Sequence, residues 1–356
     1  MSRLKSASAS PNRILNVLLY IAGIVLVVAL IFGYDLYRKH FLANVNISSH
    51  KPGHLYIPTG SKVQDVFSLL YRDSLIINHK TFEWLSSKKH LADHIHPGHY
   101  VIKKGMNNED LLRMLIAGRQ EPIRLTFNNI RTRDQLAEKI SLQIEASESD
   151  LKHTLNDEMF LSSLGFNSED IMTIFLPNTY EFYWNTSSEQ FIQRMTKEFN
   201  KFWSAERKAK AAKIGLSPVE VIILASIVDE ETDKTDEEPR IAGVYINRMK
   251  KHMLLQADPT VRYALGDFTI SRILKKHLEI ESPYNTYIHT GLPPGPISIP
   301  SIAAINAVLN YETHSYLYFC ASDEFNGYHH FSKTLEQHLV YAQQYQKALN
   351  KHRIMR

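Results

Sequence analysis

Three consecutive carboxylates end a long apolar stretch of this sequence. Residues 221–228 have the sequence VIILASIV, and Asp229, Glu230 and Glu231 follow directly. A carboxyl group at the C-terminal end of a helix meets the negative pole of the helix dipole, and burial also disfavours its ionised form. Such a group keeps its proton near neutral pH and can act as a general acid. A solvated acidic turn is the alternative, because four more acidic residues follow between positions 233 and 238.

Polar and aromatic residues are concentrated in the loops that follow. Residues 282–287 have the sequence SPYNTY, and residues 290–296 have TGLPPGP. Amide and hydroxyl side chains hydrogen-bond sugar hydroxyls, and tyrosine rings pack on pyranose faces, so these loops favour carbohydrate binding. A proline-stiffened scaffold with tyrosines in the core explains the same residues equally well. Asp258 precedes Pro259, and we expect it to cap a short helix that ends at Gly266.

The apolar stretch before the carboxylates is predicted to be a buried helix. The sequence SPVE at 217–220 is a capping box with proline at the first helical position. A helix that is apolar on all sides lies in the core, so it brings its terminal carboxylates to the protein interior. A second helix is expected over 241–249. The remaining predicted elements are a strand at 316–320, a strand at 329–331 and a helix from Leu335.

Residues 45–122 are expected to form a small α+β module. Extended runs at 54–58 and 98–103 predict strands, and apolar residues at helical spacing predict helices after each of them. Such a module is too small to carry much chemistry, but its size suits the binding of a ligand. A helix at 136–144 and the loop FLPNTY at 175–180 are expected between this module and the acidic cluster.

The segment Ile14–Tyr34 predicts a transmembrane anchor. It contains one polar residue, Asn16, and no charge. About 20 apolar residues are needed to cross the hydrocarbon core as a helix. A cleaved signal peptide would have a shorter apolar region and a cleavage site of small residues, and the core of a soluble protein does not require such a stretch.

Charge around this segment gives a modest indication of its orientation. Basic residues lie on both sides of the span: Arg3, Lys5 and Arg13 before it, Arg38 and Lys39 after it. The positive-inside rule therefore favours only weakly a cytoplasmic tail at 1–13 with the rest of the chain outside the cytoplasm.

Composition excludes several classes of protein. Hydrophobic residues make up 44% and charged residues 22%, which is typical of globular proteins rather than of disordered or fibrous ones. Three of the 41 Lys and Arg residues precede position 35, which leaves 38 against 37 Asp and Glu, so a nucleic-acid surface is not supported. A single cysteine, Cys320, excludes an intramolecular disulfide and a CxxC pair.

Histidines are numerous, but they do not predict a metal site. His90, His94, His96 and His99 lie close together without a carboxylate–histidine framework of catalytic spacing. We expect them to be surface histidines, and we expect neither a metal nor another cofactor.

Several segments taken together resemble the endolytic murein transglycosylases, the YceG-like family. These segments are LASIVDEET (224–232), GVYINRM (243–249), LLQADPTVRYALG (254–266), SPYNTY (282–287), TGLPPGPI (290–297), YLYF (316–319) and HHF (329–331). Their order and spacing match the family, and the resemblance extends over the whole part outside the predicted membrane span. The loop LPNTY resembles a further family element, and the region around Gly98 resembles the family's LysM-like module.

The resemblance implies an α+β fold with a transmembrane helix at 14–34, a LysM-like module at 45–122 and a catalytic domain at 123–356 with its core motifs at 215–335. It implies a lyase that cuts the β-1,4 bond between N-acetylmuramic acid and N-acetylglucosamine within nascent peptidoglycan strands. A glutamic acid protonates the glycosidic oxygen, and the muramyl C6 hydroxyl closes on C1 to leave a 1,6-anhydro end. One carboxyl group suffices for this reaction, whereas ordinary glycosidases use two.

The resemblance assigns the catalytic role to Glu231. The family motif has the form A-S-I-[IV]-E-x-E-T, its second glutamate is the catalyst, and Glu231 directly before Thr232 matches it. Asp229 stands in place of the first glutamate, and Glu230, at the variable position, is expected to face solvent. The residues that the resemblance implies as substrate-binding are Asn247, Gln256, Asp258, Tyr284, Asn285, Thr286, Tyr287 and His329. The alternative for each of these is a buried, hydrogen-bonded scaffold residue.

The same resemblance implies location and partners. It places the chain in the inner membrane as a single-pass protein, with the catalytic domain in the periplasm, acting on glycan strands beside peptidoglycan synthases and elongation or division proteins. One alternative is a non-catalytic peptidoglycan-binding or scaffold protein. Another is a hydrolytic muramidase, which would leave a reducing end instead of an anhydro end.

Overall fold

A computed structural model describes residues 11–47, 53–128, 130–270 and 272–351. They form two compact units: the first comprises the described residues up to Ile123 and Tyr183–Asn185, and the second comprises Arg124–Phe182 and the described residues from Thr186 onward. Most of the expected cytoplasmic tail, at 1–10, lies outside the described residues.

The N-terminal helix α1 (Pro11–Phe41) is longer than the predicted apolar span. Its charged last turns continue the helix because Asp35 pairs with Arg38 at 3.1 Å and also with Lys39, at the spacings that face each other on a helix. An 18-residue window between Leu15 and Phe41 has a mean hydropathy of 2.8, and none of its residues is buried inside the molecule. One helix in the described residues is therefore long and apolar enough to cross a membrane by itself, as predicted.

Two strands and three short helices enclose the apolar core of the first unit. Strands β1 (Gly53–Ile57) and β2 (Gly98–Ile102) pair antiparallel, with Leu55 opposite Tyr100. Both of these side chains are buried, so the inward positions of the two strands belong to the core. The helices of this unit after α1 are α2 (Val63–Arg72), α3 (His79–Lys88) and α4 (Asn108–Ile116), with a 3₁₀ turn at Leu91–Asp93.

The second unit is mainly helical and has two small sheets. Strand β3 (Ile123–Thr126) pairs with β4 (Thr179–Phe182), and β5 (Tyr318–Ala321) pairs antiparallel with β6 (His329–Ser332). Its helices are α5 (Arg133–Ser141), α6 (Glu148–Thr154), α7 (Glu158–Ser163), α8 (Ser188–Phe202), α9 (Ala205–Ile214), α10 (Pro218–Glu231), α11 (Glu238–Lys250), α12 (Asp258–Leu265), α13 (Ile302–Leu309) and α14 (Leu335–Lys351), with 3₁₀ turns at Ile171–Ile174 and Lys275–His277.

Helix α10 is the buried helix that the sequence predicts. The Ser217 hydroxyl accepts a hydrogen bond from the Glu220 amide at 3.2 Å, and the Glu220 carboxylate accepts one from the Ser217 amide at 2.7 Å, which confirms the capping box. Every residue from 221 to 228 is buried, against α11 and α13 among other elements. The position of α10 is thus fixed on all sides, and its C-terminal carboxylates emerge at one defined place.

The mixture of helices and strands confirms the predicted α+β class. Strands β3 and β4 and helix α13 were not predicted, the last two residues of the loop expected at 175–180 belong to β4, and the boundaries of other elements differ. The helix expected at 136–144 spans Arg133–Ser141, and the strand expected from 316 begins at Tyr318. Thr132 caps the first of these helices by accepting from the Gln135 amide at 3.2 Å, which explains its earlier start.

Candidate active site

Glu231 is the last residue of α10, and its carboxyl group is held from the neighbouring helix. Thr232 is the C-terminal cap and is extended, so the chain leaves the helix directly after Glu231. The Tyr245 hydroxyl on α11 donates a hydrogen bond to Oε1 of Glu231. Tyr245 is itself buried and meets the Phe319 ring edge-on, with ring centroids 5.9 Å apart. One carboxyl oxygen therefore has a fixed donor, and the orientation of the group is set.

The surroundings of Glu231 keep its proton near neutral pH. Burial raises the pKa of Glu231 to about 7, and the negative charge of Asp258 acts in the same direction. The hydrogen bond from Tyr245 and the charges of Arg262 and Arg248 oppose this rise. Around pH 7 both the acid and its conjugate base are populated, which is the condition for a group that gives up a proton and takes one back.

Glu231 lies where two cavities meet. The larger cavity has a volume of about 580 Å³ and also touches the ends of α10 and α11. The smaller one, of about 360 Å³, lies on the side of α12, β5 and α14. Because the same carboxyl group lines both cavities, an extended ligand that occupies both of them would pass over it.

Four of the predicted substrate-binding residues line the smaller cavity together with Glu231: Gln256, Asp258, Tyr287 and His329. The Tyr287 hydroxyl donates to Asp258 Oδ1 at 2.5 Å. The prediction that Asp258 caps α12 is wrong, because Ala257 occupies the cap position and Asp258 is the first helical residue. Its carboxylate is therefore turned to the cavity rather than bound by the backbone amides of the helix.

Gln256 has a backbone conformation that non-glycine residues rarely adopt. Its φ of +53° lies in the left-handed region, which costs on the order of 1 kcal/mol for such a residue. The backbone N–H of Gln256 donates to the Thr286 carbonyl at 3.0 Å, and the Arg248 guanidinium donates to Oε1 of the Gln256 side chain at 3.2 Å. These contacts hold the residue at the rim of the cavity with its side chain exposed.

Asn285 and Thr286 are buried, and neither lines either of the two cavities. Asn285 is fully buried and donates to the carbonyls of Leu278 and Ile280, both at 2.9 Å. The Thr286 hydroxyl accepts from the Ala257 amide at 3.0 Å. Thr286 therefore holds the segment before α12 that carries Gln256, whereas the Asn285 side chain holds the chain at 278–280.

Tyr284 and Asn247 are also outside the two cavities. The Tyr284 hydroxyl donates to Glu169 at 2.9 Å. The side-chain amide of Asn247 donates to the backbone carbonyls of His314 at 2.9 Å and Tyr316 at 3.0 Å, and these bonds hold the chain before β5. The eight predicted residues thus form two groups, four at the smaller cavity beside Glu231 and four in the framework around it.

His329 borders the smaller cavity and is bound by a buried carboxylate. Its Nδ1 lies 2.9 Å from one oxygen of Glu237, and its amide donates to the other at 3.1 Å. Glu237 is 3% exposed, so the position of this carboxylate is fixed. The contact orients the imidazole with Nε2 as the nitrogen free of Glu237.

Arg248 is a residue of this site that the sequence did not indicate. It is 7% exposed, and its guanidinium donates to the carbonyls of Leu317 at 2.6 Å and Leu255 at 2.8 Å. It also lies over the Tyr318 ring, 5.0 Å from the centroid. Its charge is buried in the wall of the smaller cavity. Arg248 belongs to the segment GVYINRM, but its residue type alone does not distinguish it from a surface arginine.

Three more lining residues were not predicted as part of the site. Tyr245 lies in the helix predicted over 241–249 and Tyr318 in the strand predicted over 316–320, but neither was singled out for the site. His338 lies in the helix predicted from Leu335 and meets Tyr318 where α14 packs against β5. The rings of Tyr318 and His338 are stacked 5.4 Å apart. Burial lowers the pKa of His338, so its neutral form is favoured.

The expectation that Glu230 faces solvent is wrong. Arg131 donates to both of its carboxylate oxygens, at 3.0 and 2.9 Å, and the Glu230 side chain is only 20% exposed. Asp229 is also engaged, because its carboxylate accepts from the Ser301 amide at 3.2 Å and from the Ser301 hydroxyl at 2.7 Å. Of the three consecutive carboxylates, Glu231 is the one that reaches both cavities.

His99 corrects a second surface prediction. It is 5% exposed, and its ring stacks on Tyr56 with centroids 4.7 Å apart. Strand pairing places His99 opposite Tyr56 on the same face of the sheet, where the rings of His54 and Tyr56 stack on it. Within the described ranges, no three His, Cys, Asp or Glu side chains are grouped as metal ligands.

Comparison with known proteins gives consistent similarities over most of the chain. The YceG-like family matches residues 55–344. An endolytic murein transglycosylase of Bacillus subtilis strain 168 is 33% identical over 325 residues, which cover 87% of this chain and 89% of that protein. One of Streptococcus pneumoniae strain D39 is 29% identical over 341 residues, which cover 86% of this chain and 60% of the longer pneumococcal protein. The crystal structure of a yceG-like protein from Listeria monocytogenes has a TM-score of 0.55 at 31% identity, covering 82% of this chain and 99% of that one.

Proposed function

Since this chain belongs to the YceG-like family, we propose that it is an endolytic lytic transglycosylase that cuts peptidoglycan strands. The activity is the one named for its relatives from two bacteria. The observation that carries the proposal to a residue is the position of Glu231. A single protonatable carboxyl group lies at the junction of two cavities with one oxygen already bound by Tyr245.

In the proposed reaction, Glu231 first acts as the general acid. It gives its proton to the oxygen between the muramyl residue and the next N-acetylglucosamine, and the bond from that oxygen to muramyl C1 breaks. The muramyl C6 hydroxyl then forms a bond to C1, and the Glu231 carboxylate takes the proton from O6. The reaction leaves one strand end with a free hydroxyl and the other with a 1,6-anhydro ring, and Glu231 regains its proton. No water is consumed, because the substrate supplies its own nucleophile.

The four residues at the smaller cavity are the proposed sugar contacts. Gln256 and Asp258 present polar groups at its rim, and Tyr287 and His329 present an aromatic ring each. We assign Asn247, Tyr284, Asn285 and Thr286 a positioning role, because their polar groups already have protein partners.

We further propose that α1 anchors the protein in the inner membrane, with the chain after α1 on the periplasmic side. The exposed apolar stretch of α1 supports the anchor, and the family resemblance supports the orientation, since basic residues lie on both sides of the span. The first unit then serves as a LysM-like module that binds glycan. Its strand–helix–helix–strand order around a two-stranded sheet, and the exposed Tyr56 ring on that sheet, support this role. Peptidoglycan synthases and elongation or division proteins are the partners proposed for this location.

A hydrolytic muramidase is the second candidate function. It is favoured by one observation, namely that Asp258 lines the same cavity as Glu231. Glycosidases that hydrolyse their substrates usually use two catalytic carboxyl groups. The Tyr287 hydroxyl donates to Asp258, so the carboxyl group of Asp258 is held in place beside that cavity.

The test is mass spectrometry of peptidoglycan incubated with the full chain in detergent and with Glu231→Gln. We expect 1,6-anhydro-muropeptides from the unaltered protein and a loss of at least about a thousandfold in the variant, because the proton donor is removed. Glu279→Gln is the matched control, since Glu279 is exposed and lines neither cavity. Reducing ends in place of anhydro ends would identify a hydrolase, and full activity in Glu231→Gln would overturn the assignment of the acid.

A further inference from the structure

The larger of the two cavities carries an excess of negative charge. Five of its lining residues are acidic and one is basic: Asp229, Glu230, Glu231, Asp233 and Glu238 against Arg131. Arg131 is paired with Glu230, to which its guanidinium donates two hydrogen bonds. The other lining residues are uncharged, so the cavity offers acceptors and negative charge without a free cation of its own.

Glu238 gives this cavity a buried acceptor that has no partner. It is 3% exposed, and among the described residues no group donates to its Oε2. Burial and the charge of Asp229 raise the pKa of Glu238 to about 7, so a substantial fraction is ionised at neutral pH. Buried carboxylates in folded proteins are normally paired or hydrogen-bonded. A donor supplied by a ligand would provide the missing partner.

A primary ammonium group fits these features better than other donors do. It carries three N–H donors and a positive charge, so it satisfies Glu238 and offsets the excess charge at the same time. A sugar hydroxyl would satisfy the acceptor but leave the charge. A divalent metal is disfavoured, because no three His, Cys, Asp or Glu side chains in the described part of the chain are grouped to hold one.

We propose that this cavity binds the free primary ammonium group of an uncross-linked peptide side chain on the muramyl residue beside the scissile bond. The inference rests on the proposed function, since Glu231, which lines this cavity too, marks the position of that bond. Cross-linking turns the amine into a neutral amide and adds bulk. The cavity therefore selects strands in which the peptide amine at this position has not been consumed by a cross-link, and Glu238 is its specificity-determining residue.

The test compares three forms of the same uncross-linked strands: untreated, with the amines acetylated, and with the amines reductively dimethylated. Acetylation removes the charge, whereas dimethylation keeps the charge and one N–H. For the full chain in detergent, we expect acetylation to lower kcat/KM about tenfold, the worth of one charge-assisted hydrogen bond, and dimethylation to lower it less than about threefold. In Glu238→Gln the effect of acetylation should fall below about threefold, while Glu279→Gln should keep the full effect.

Binding of the same strands, measured in the Glu231→Gln background, separates this inference from the proposed function. If no strand is cleaved by any form, the proposed function fails, but tighter binding of the untreated strands would still support the ammonium site. Equal binding and cleavage of untreated and acetylated strands would overturn the inference and leave the function intact. Undiminished discrimination by Glu238→Gln would also overturn it. The variant is expected to unfold at a higher temperature than the unaltered protein at pH 8.5, because it removes a buried carboxylate that is ionised there, and this checks that it is folded.

Discussion

At position 231, burial and hydrogen bonding act on one carboxyl group in opposite directions. Burial raises the pKa of Glu231 to about 7, whereas the Tyr245 hydroxyl donates to the carboxyl group and so favours its ionised form. The same hydrogen bond also orients the carboxyl group. Tyr245 is therefore a positioning residue, which acts on the substrate only through Glu231.

We expect the cleavage rate to fall as the pH rises through about 7, because the general acid must be protonated and Glu231 loses its proton there. Tyr245→Phe removes a donor that stabilises the carboxylate, so the pKa of Glu231 should rise and this limb should move up by about one pH unit. Loss of orientation should lower kcat about tenfold. The measurement is the pH profile of anhydro-muropeptide release.

Tyr284→Phe is the control for this profile. It also removes a tyrosine hydroxyl, but this hydroxyl donates to Glu169 instead of Glu231. In Tyr284→Phe, the cleavage rate should fall over the same pH range as in the unaltered protein. An unchanged limb in Tyr245→Phe would show that Tyr245 has no influence on the protonation of Glu231.

Among the secondary-structure elements, α10, α11 and α13 form the frame that holds the acid. Asp229 at the end of α10 accepts two hydrogen bonds from Ser301, which is the N-terminal cap of α13. Gly243 on α11 allows the chain near His314 to pack closely. Since Asn247 on the same helix binds the carbonyl of His314, the frame extends from α11 to the segment before β5.

Gly243→Ala should destabilise the protein although alanine is the better helix former. A Cβ at this position would lie 2.5 Å from the Glu312 carbonyl oxygen and 2.6 Å from His314 Nε2, so the backbone of that segment must move. Overpacking of this kind costs roughly 1–3 kcal/mol, which offsets the gain of about 1 kcal/mol in helix propensity. We expect a lower Tm and weaker glycan binding.

Gly23→Ala provides the matched comparison, because Gly23 also lies within a helix but a Cβ there meets nothing within 4 Å. Thermal unfolding of both variants in detergent is the measurement. A Gly243→Ala protein as stable as Gly23→Ala would show that the segment 312–316 yields without cost.

At the scale of the whole molecule, the chain divides into two units. The smaller one has a size suited to binding a ligand, and the larger one contains Glu231. Tyr56 in the first unit is 40% exposed. Its ring stacks on His99 at a centroid distance of 4.7 Å and meets the tilted ring of Trp184 at 5.2 Å. Both of these neighbours belong to the same unit. The aromatic surface is thus complete within one unit, which is consistent with a module that binds glycan by itself.

Deletion of residues 45–120 should weaken binding to isolated glycan strands by roughly tenfold or more and leave the identity of the cleavage products unchanged, because a second binding contact is lost while the acid is kept. Co-sedimentation gives the affinity, and mass spectrometry gives the products. Tyr56→Ala is a milder variant that keeps the fold of the unit and should show a smaller loss in the same direction. Equal binding by the full chain and both variants would contradict the role of the first unit.

Short-range features of the fold could be predicted from the sequence. The capping box at Ser217, the burial of α10 and the apolar span in α1 depend on neighbours within a few residues, and the structure confirms all three. Membership of the YceG-like family could be recognised as well, because its motifs are contiguous segments. Glu231 was singled out by such a motif, and its catalytic role stays a prediction.

Only the tertiary structure decided what each of the three consecutive carboxylates contacts. Successive helical residues point about 100° apart, so Asp229, Glu230 and Glu231 meet different parts of the chain. Their partners are Ser301, Arg131 and Tyr245, which lie 72, 99 and 14 residues away in sequence. Contacts across such separations arise from packing between elements, and local residue patterns carry no information about them. For the same reason, residue type alone indicated neither the burial of the Arg248 charge nor the Glu238 carboxyl oxygen that has no partner among the described residues.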